Sequence, residues 1–356
     1  MPDRRRPTAH RLARPALLVT LAGGLAATAV AERRHLRALA ADEEFRALSA
    51  PLADAGLEHA VLRISSADGT GLHAERFGPA DAAGTLVLAH GWTEASPFWG
   101  PVIRRLASAD LALVAYDLRG HGDSEPAREG DYGLERFGED LEAVLAALDA
   151  DPARTAVAGH SLGAMSIAAW AAGHDVPSRV AAASMINTGL SNLIGGALVL
   201  GELGSRLAPE VVSRALLGSG RPLLPVSTPL SLAIARHVAF GPDASNGMVA
   251  FYERMLMRTD AGVRGAVGIT LSGLDLSQAA ARITVPTNVI AGDADRLTPA
   301  AHAERIARAL PAPAGLTILP RTGHMSPLER PDEVAGALRE LLARTRITGV
   351  PSEVGR

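Results

Sequence analysis

The feature that most constrains this chain is a rhythm. Short apolar runs alternate with segments of helical spacing. The runs are TLVLAH (85–90), LALVAYD (111–117), RTAVAG (154–159), RVAAASMIN (179–187), TVPTNVIAG (284–292) and GLTILP (315–320). Between and after them, 97–108, 134–150, 162–173, 300–310 and 331–345 read as helices. In 134–150, Leu134, Phe137, Leu141, Val144, Leu145 and Leu148 share one face. A strand that is apolar throughout is buried on both sides, so this pattern predicts an α/β protein with a doubly wound, mostly parallel sheet. HAVLRISS and GLHAERFG precede the first run and read as a hairpin turning at Asp68-Gly69.

The rhythm fails over 191–280, where helical patterns continue without a clear strand. That region reads as a helical cap inserted before the last two strands, between core segments 58–190 and 281–345. Residues 41–57 read as a linker and 346–356 as a frayed tail.

Residues 1–40 form a separate segment. Five arginines precede the uncharged stretch Pro15 to Ala31, which is 17 residues long. A membrane anchor is the expectation, with a cleaved export signal or a plain helix as alternatives. The net charge of -3 leaves no basic excess for neutralising phosphates, so no nucleic-acid partner is expected. With no cysteine, thiolate metal sites and a cysteine nucleophile are excluded.

At 155–165 the chain reads TAVAGHSLGAM. Ser161 stands between Gly159 and Gly163, where a strand gives way to a helix. A serine hydroxyl is a weak nucleophile until a base touches it. A tight strand-to-helix turn exposes it, and flanking glycines remove side chains that would collide there. The N–H groups opening the helix face the place where a negative oxygen would form. The base must be a histidine on a loop. Of eleven, His324 follows the last strand and precedes the last helix, whereas His90 and His160 sit inside glycine turns and read as local packing. An acid must orient the base. Asp295 in GDADRLTP is the first choice and Asp293 the second. For a developing oxyanion, the N–H groups of Leu162 and Trp92 are the candidate donors.

Taken together, HGWTEASPFW (90–99), YDLRGHGDSEP (116–126), GHSLG (159–163), AGDADRLTP (291–299) and GHMSPLERPDEV (323–334) resemble the α/β-hydrolase family. They stand in family order over roughly residues 58–345. The resemblance implies an eight-stranded sheet, a triad of Ser161, Asp295 and His324, an oxyanion hole at Trp92 and Leu162, and a cap over the site. It favours Asp295 over Asp293. Some members carry the acid after the preceding strand, but here that strand ends Asn187-Thr188 without a carboxylate. Asp117, Arg119, His121 and Asp123 resemble the family's structural turn. The arginine-rich start is similar to that of membrane-associated actinobacterial members.

A serine at the elbow excludes the relatives that use an aspartate there. The expectation is a hydrolase of a carboxylic ester or related acyl bond, with a small and apolar substrate and neither metal nor cofactor. Two alternatives remain: a cofactor-free haloperoxidase or perhydrolase with the same triad, and a non-catalytic binding protein. In the cap, Met248, Phe251, Tyr252, Met255 and Met257 could line a pocket or only join helices. Arg236, Arg254 or Arg258 could meet a carboxylate.

Overall fold

The computed structural model describes residues 33–52, 56–108, 110–193 and 227–347. Within them lies one eight-stranded sheet. Its strands are β1 (His59–Ser65), β2 (Gly71–Phe77), β3 (Gly84–Ala89), β4 (Leu111–Tyr116), β5 (Thr155–His160), β6 (Ala182–Ile186), β7 (Thr287–Gly292) and β8 (Pro313–Leu319). In space the order is β1-β2-β4-β3-β5-β6-β7-β8. β2 runs antiparallel to both β1 and β4, and every other pair is parallel.

Period-two alternation explains why the central runs are apolar throughout. Val87 and Ala89 of β3 point into one core, and Leu86 and Leu88 into the other. β4 repeats this with Val114 and Tyr116 on one side, Leu113 and Ala115 on the other. The described helices include α1 (Glu43–Ser49), α2 (Gly100–Leu106), α3 (Leu134–Leu148), α4 (Leu162–Gly173), α5 (Pro229–Ala239), α6 (Asn246–Arg258), α7 (Ala261–Ser272), α8 (Ala300–Ala309), α9 (Ser326–Glu329) and α10 (Pro331–Arg344). Leu141 of α3, Trp170 of α4 and Ile306 of α8 share the first core. Val102 of α2 and Leu338 of α10 share the second. Helices α5, α6 and α7 lie between β6 and β7 in the chain, where the strand rhythm fails.

From β3 the chain crosses to β4 on one side and later returns to β5 on the other. Strand order therefore reverses at β3, and the carboxyl ends of β3 and β5 open a crevice there. Ala89 pairs with both Tyr116 and Gly159, so the turn after β3 lies beside the turn after β5.

Two readings of the sequence change. Within 41–57, α1 is a capped helix: Asp42 accepts the Phe45 N–H at 2.8 Å. Asp42 and Phe45 press on Gly247 of α6, and Arg254 of α6 lies 5.0 Å over the Phe45 ring. The cap residue and the Phe45/Leu48 spacing were readable as a helix, but the segment is short and its partner lies about two hundred residues away. The membrane anchor is also withdrawn. Among the described residues no helix is long and apolar enough to cross a membrane, and residues 15–31 lie outside them. The end of the tail, 348–356, also lies outside the described residues.

The segment 116–126 is structural, as its sequence suggests. Arg119 is fully buried and held by both oxygens of Asp140, at 2.7 and 2.6 Å, and by Asp68 at 2.8 Å. Asp117 accepts the Ser96 and Asp123 N–H groups at 2.6 and 2.9 Å. Removing one partner of a buried pair strands the other charge. Asp140→Ala is expected to lower unfolding free energy by about 3–5 kcal/mol, measured by urea denaturation with the m-value unchanged.

Candidate active site

β5 ends at His160 and α4 begins at Leu162, which leaves Ser161 alone in the turn. Its backbone is left-handed, with φ 50° and ψ -113°. A non-glycine residue there is strained and must be held by its surroundings. The Ser161 N–H donates to Ile186 O at 2.9 Å, and the Thr188 hydroxyl donates to Ser161 O at 2.9 Å. The flanking glycines leave no room for side chains. A Cβ on Gly159 would lie 2.4 Å from the Gly163 carbonyl carbon, and one on Gly163 would lie 2.2 Å from Ala89 O. The serine itself remains half-exposed.

The turn after β3 faces this elbow. Thr93 is left-handed, with φ 63°, and its hydroxyl donates to Trp92 O at 2.6 Å. Among the described residues, the N–H groups of Trp92 and Leu162 meet no acceptor within the protein. Both are free for an external oxygen.

His324 lies on the loop after β8. Its Nδ1 is 2.8 Å from Asp295 Oδ2. Donation from Nδ1 leaves Nε2 as the basic nitrogen. Asp295 also accepts the N–H groups of Leu297 and Thr298, each at 2.9 Å, the Thr298 hydroxyl at 2.8 Å and the Asn187 side-chain amide at 3.0 Å. Burial opposes ionisation of Asp295, but His324 and these donors outweigh it and hold its carboxyl below the usual range. Burial likewise opposes the His324 imidazolium. Asp295, by charge and hydrogen bond, overcomes it and lifts His324 above 6.5, with Glu94 and Glu329 adding to the pull. Asp293 is exposed, and its carboxylate accepts the Thr322 N–H at 3.4 Å and makes no hydrogen bond to His324.

Several residues escaped the sequence reading. Asn187 occupies the strand end noted for lacking a carboxylate, and it is left-handed with φ 44°. Its amide bridges Asp295 to Gly323 O, and its own oxygen accepts from the Ser326 hydroxyl. Thr298 stands three residues after Asp295, a spacing that suits a side-chain-capped turn. Glu329 accepts the Gly323 and Gly241 N–H groups at 3.0 and 2.8 Å, and burial pushes its carboxyl up to about 6. Nothing local in the sequence marks Asn187 or Glu329. Tyr252 of α6 reaches Thr93 Oγ1 at 3.3 Å. Arg236 is bound to Ala244 O and to Asn246, and Arg254 lies over the Phe45 and Phe251 rings, so both serve cap packing.

The chain belongs to the α/β-hydrolase fold family, whose model matches residues 84–331. A monoacylglycerol lipase from Mycolicibacterium smegmatis is 31% identical over 229 residues, covering 62% of this chain and 73% of that protein. A non-heme haloperoxidase from Rhodococcus erythropolis is 26% identical over 268 residues, covering 73% and 92%. Among solved structures, a thermophilic esterase from Thermogutta terrifontis aligns with a TM-score of 0.64 over 80% of this chain and 99% of that one. At 18% identity this last likeness speaks for the fold alone. The protein is thus an α/β-fold hydrolase.

The raised His324 is directly measurable. NMR titration of its ring is expected to give a midpoint above 6.5 in the parent. Asp295→Asn removes the attracting charge, so the midpoint moves down. An unchanged midpoint would mean that the two groups do not interact in solution.

Proposed function

We propose that this hydrolase cleaves a carboxylic ester or related acyl bond through an acyl-enzyme on Ser161. The observation that carries the reading is a strained, half-exposed serine beside two uncommitted N–H groups, in a site that also holds a buried Asp295–His324 pair. Ser161 Oγ attacks the carbonyl carbon while His324 Nε2 takes its proton. The tetrahedral oxyanion is stabilised by the Trp92 and Leu162 N–H groups and the opening of α4. Collapse breaks the bond to the leaving group, which takes the proton from His324. Water, deprotonated by the same nitrogen, then releases the acid and restores Ser161. Asp295 holds the ring and offsets its transient charge.

The substrate is expected to be small and apolar, since the oxyanion turn carries Trp92 and meets Tyr252 of α6 through Thr93. Similarity to a haloperoxidase favours one further arm, in which hydrogen peroxide replaces water and an acetyl-enzyme yields peracetate.

Hydrolysis of p-nitrophenyl esters of graded acyl length, by the full chain and by Ser161→Ala, tests the reading. The parent is expected to turn over short to medium esters. The variant should lose on the order of 10⁴- to 10⁶-fold in kcat. Equal rates for both proteins would refute the serine hydrolase. Ligand binding without turnover would leave the non-catalytic alternative, and peracid formation without ester cleavage would favour the peroxide arm.

A further inference from the structure

His160 precedes Ser161 and is fully buried. Both of its ring nitrogens face oxygen. Nδ1 lies 3.0 Å from Glu94 Oε2, and Nε2 lies 2.8 Å from the carbonyl oxygen of His324. A carbonyl oxygen brings no proton, so Nε2 must carry one. Nδ1 and Glu94 must then share a second. Otherwise a ring lone pair would face a bare carboxylate in a buried site, two acceptors with no proton between them. The Glu94–His160 pair thus holds two protons and no net charge. His90 makes the contrast. Its Nδ1 donates to Gly91 O at 2.7 Å, and its Nε2 accepts the Leu118 N–H at 3.0 Å, so a single proton suffices.

Glu94 Oε2 also accepts the N–H of Gly91, the residue before Trp92. The contact requires glycine there, since a Cβ would lie 2.9 Å from both the Glu94 carboxylate and His160 Nδ1. Phe98 closes one side, with its ring 4.7 Å from that of His160. An unbroken path therefore runs from the Gly91 N–H through Glu94 and His160 to the backbone of His324.

We infer that Glu94 and His160 are positioning residues for acyl transfer, a neutral two-proton strut that fixes the oxyanion turn and the general-base loop in one register around Ser161. This inference rests on the serine-hydrolase reading above. Neither residue is assigned a contact with substrate. Their loss should act on the transition state, where a small misplacement is costly, and not on substrate affinity. Glu94→Gln keeps the shape but not the proton count. One amide oxygen cannot satisfy both the Gly91 N–H and His160 without leaving a charged ring unpaired.

Two measurements on the full chain test this. In protein labelled with ¹⁵N-histidine, two downfield protons are expected for the His160–Glu94 pair and one for His90. In Glu94→Gln the proton facing position 94 should vanish. On the ester that the parent turns over best, Glu94→Gln should lower kcat about 10- to 100-fold with KM within about twofold. A single proton on the parent pair, or a variant with parental kcat, would overturn the inference. If Glu94→Gln does not fold, the proton count in the parent still decides. An ester-inactive parent that retains both protons would sink the catalytic reading and the positioning role with it. A parent that is active but shows one proton would sink the strut alone.

Discussion

The close approach of two backbones is the constraint on which the rest of the site depends. Gly163, at the start of α4, lies against the carbonyl of Ala89, at the end of β3. No side chain fits between them, so the helix can begin close to the neighbouring strand's turn. That closeness forces Ser161 into a left-handed conformation and sets the Leu162 N–H beside the Trp92 turn. It happens at the one place in the sheet where strand order reverses, so the crevice and the strained residue coincide. The strain is opposed by ordinary forces: a ladder bond to Ile186, the Thr188 hydroxyl, and the packing of α4 against α3.

At Arg119 and at Asp295 a buried charge is met by enough partners to justify leaving water. Asp140 and Asp68 enclose Arg119, and the result is a rigid turn. Asp295 is enclosed by five donors, and the result is a carboxylate that stays ionised and raises its histidine. The difference lies in the partner. Arginine has no lone pair to offer once its donors are used, whereas a histidine held through Nδ1 still has Nε2. Similar electrostatics give a rigid turn in one place and a histidine with an uncommitted ring nitrogen in the other.

The parts legible in the sequence act through local chain order. Ser161, Asp295 and His324 each follow an apolar run and precede a helix, so a strand-end loop could be assigned to each before any contact was known. The alternation of runs gave the sheet and the helical insertion for the same reason. Boundaries were less legible. RVAAASMIN shortens to Ala182–Ile186 because a helical turn at Val176–Ser178 carries the chain into the strand later than its hydrophobicity suggests. Asn187, Glu94 and Glu329 were invisible because their partners lie far along the chain: Asn187 meets Asp295, Glu94 meets His160, and Glu329 meets Gly241. Composition cannot report such pairs. The 15–31 stretch lies outside the described residues, and among those residues no helix is long and apolar enough to cross a membrane.

Helix α5 is joined to the His324 loop itself. The His324 N–H donates to Ala239 O, the last residue of α5, at 2.8 Å. Gly323 and Gly241 approach so closely that a Cβ on Gly323 would lie 2.3 Å from the Gly241 nitrogen. Glu329 accepts from both, and Arg296, next to Asp295, donates to His237 O at 2.8 Å. On the other side, Tyr252 meets Thr93. The Thr93 hydroxyl already gives its proton to Trp92 O, so Tyr252 must be the donor in that pair. The segment from α5 to Gly241 therefore meets the His324 loop through backbone and carboxylate, and α6 meets the Thr93 turn through one phenol. Rigid movement of α5 would displace His324, and movement of α6 would break the Tyr252–Thr93 hydrogen bond and the packing of Gly247 and Arg254 on α1.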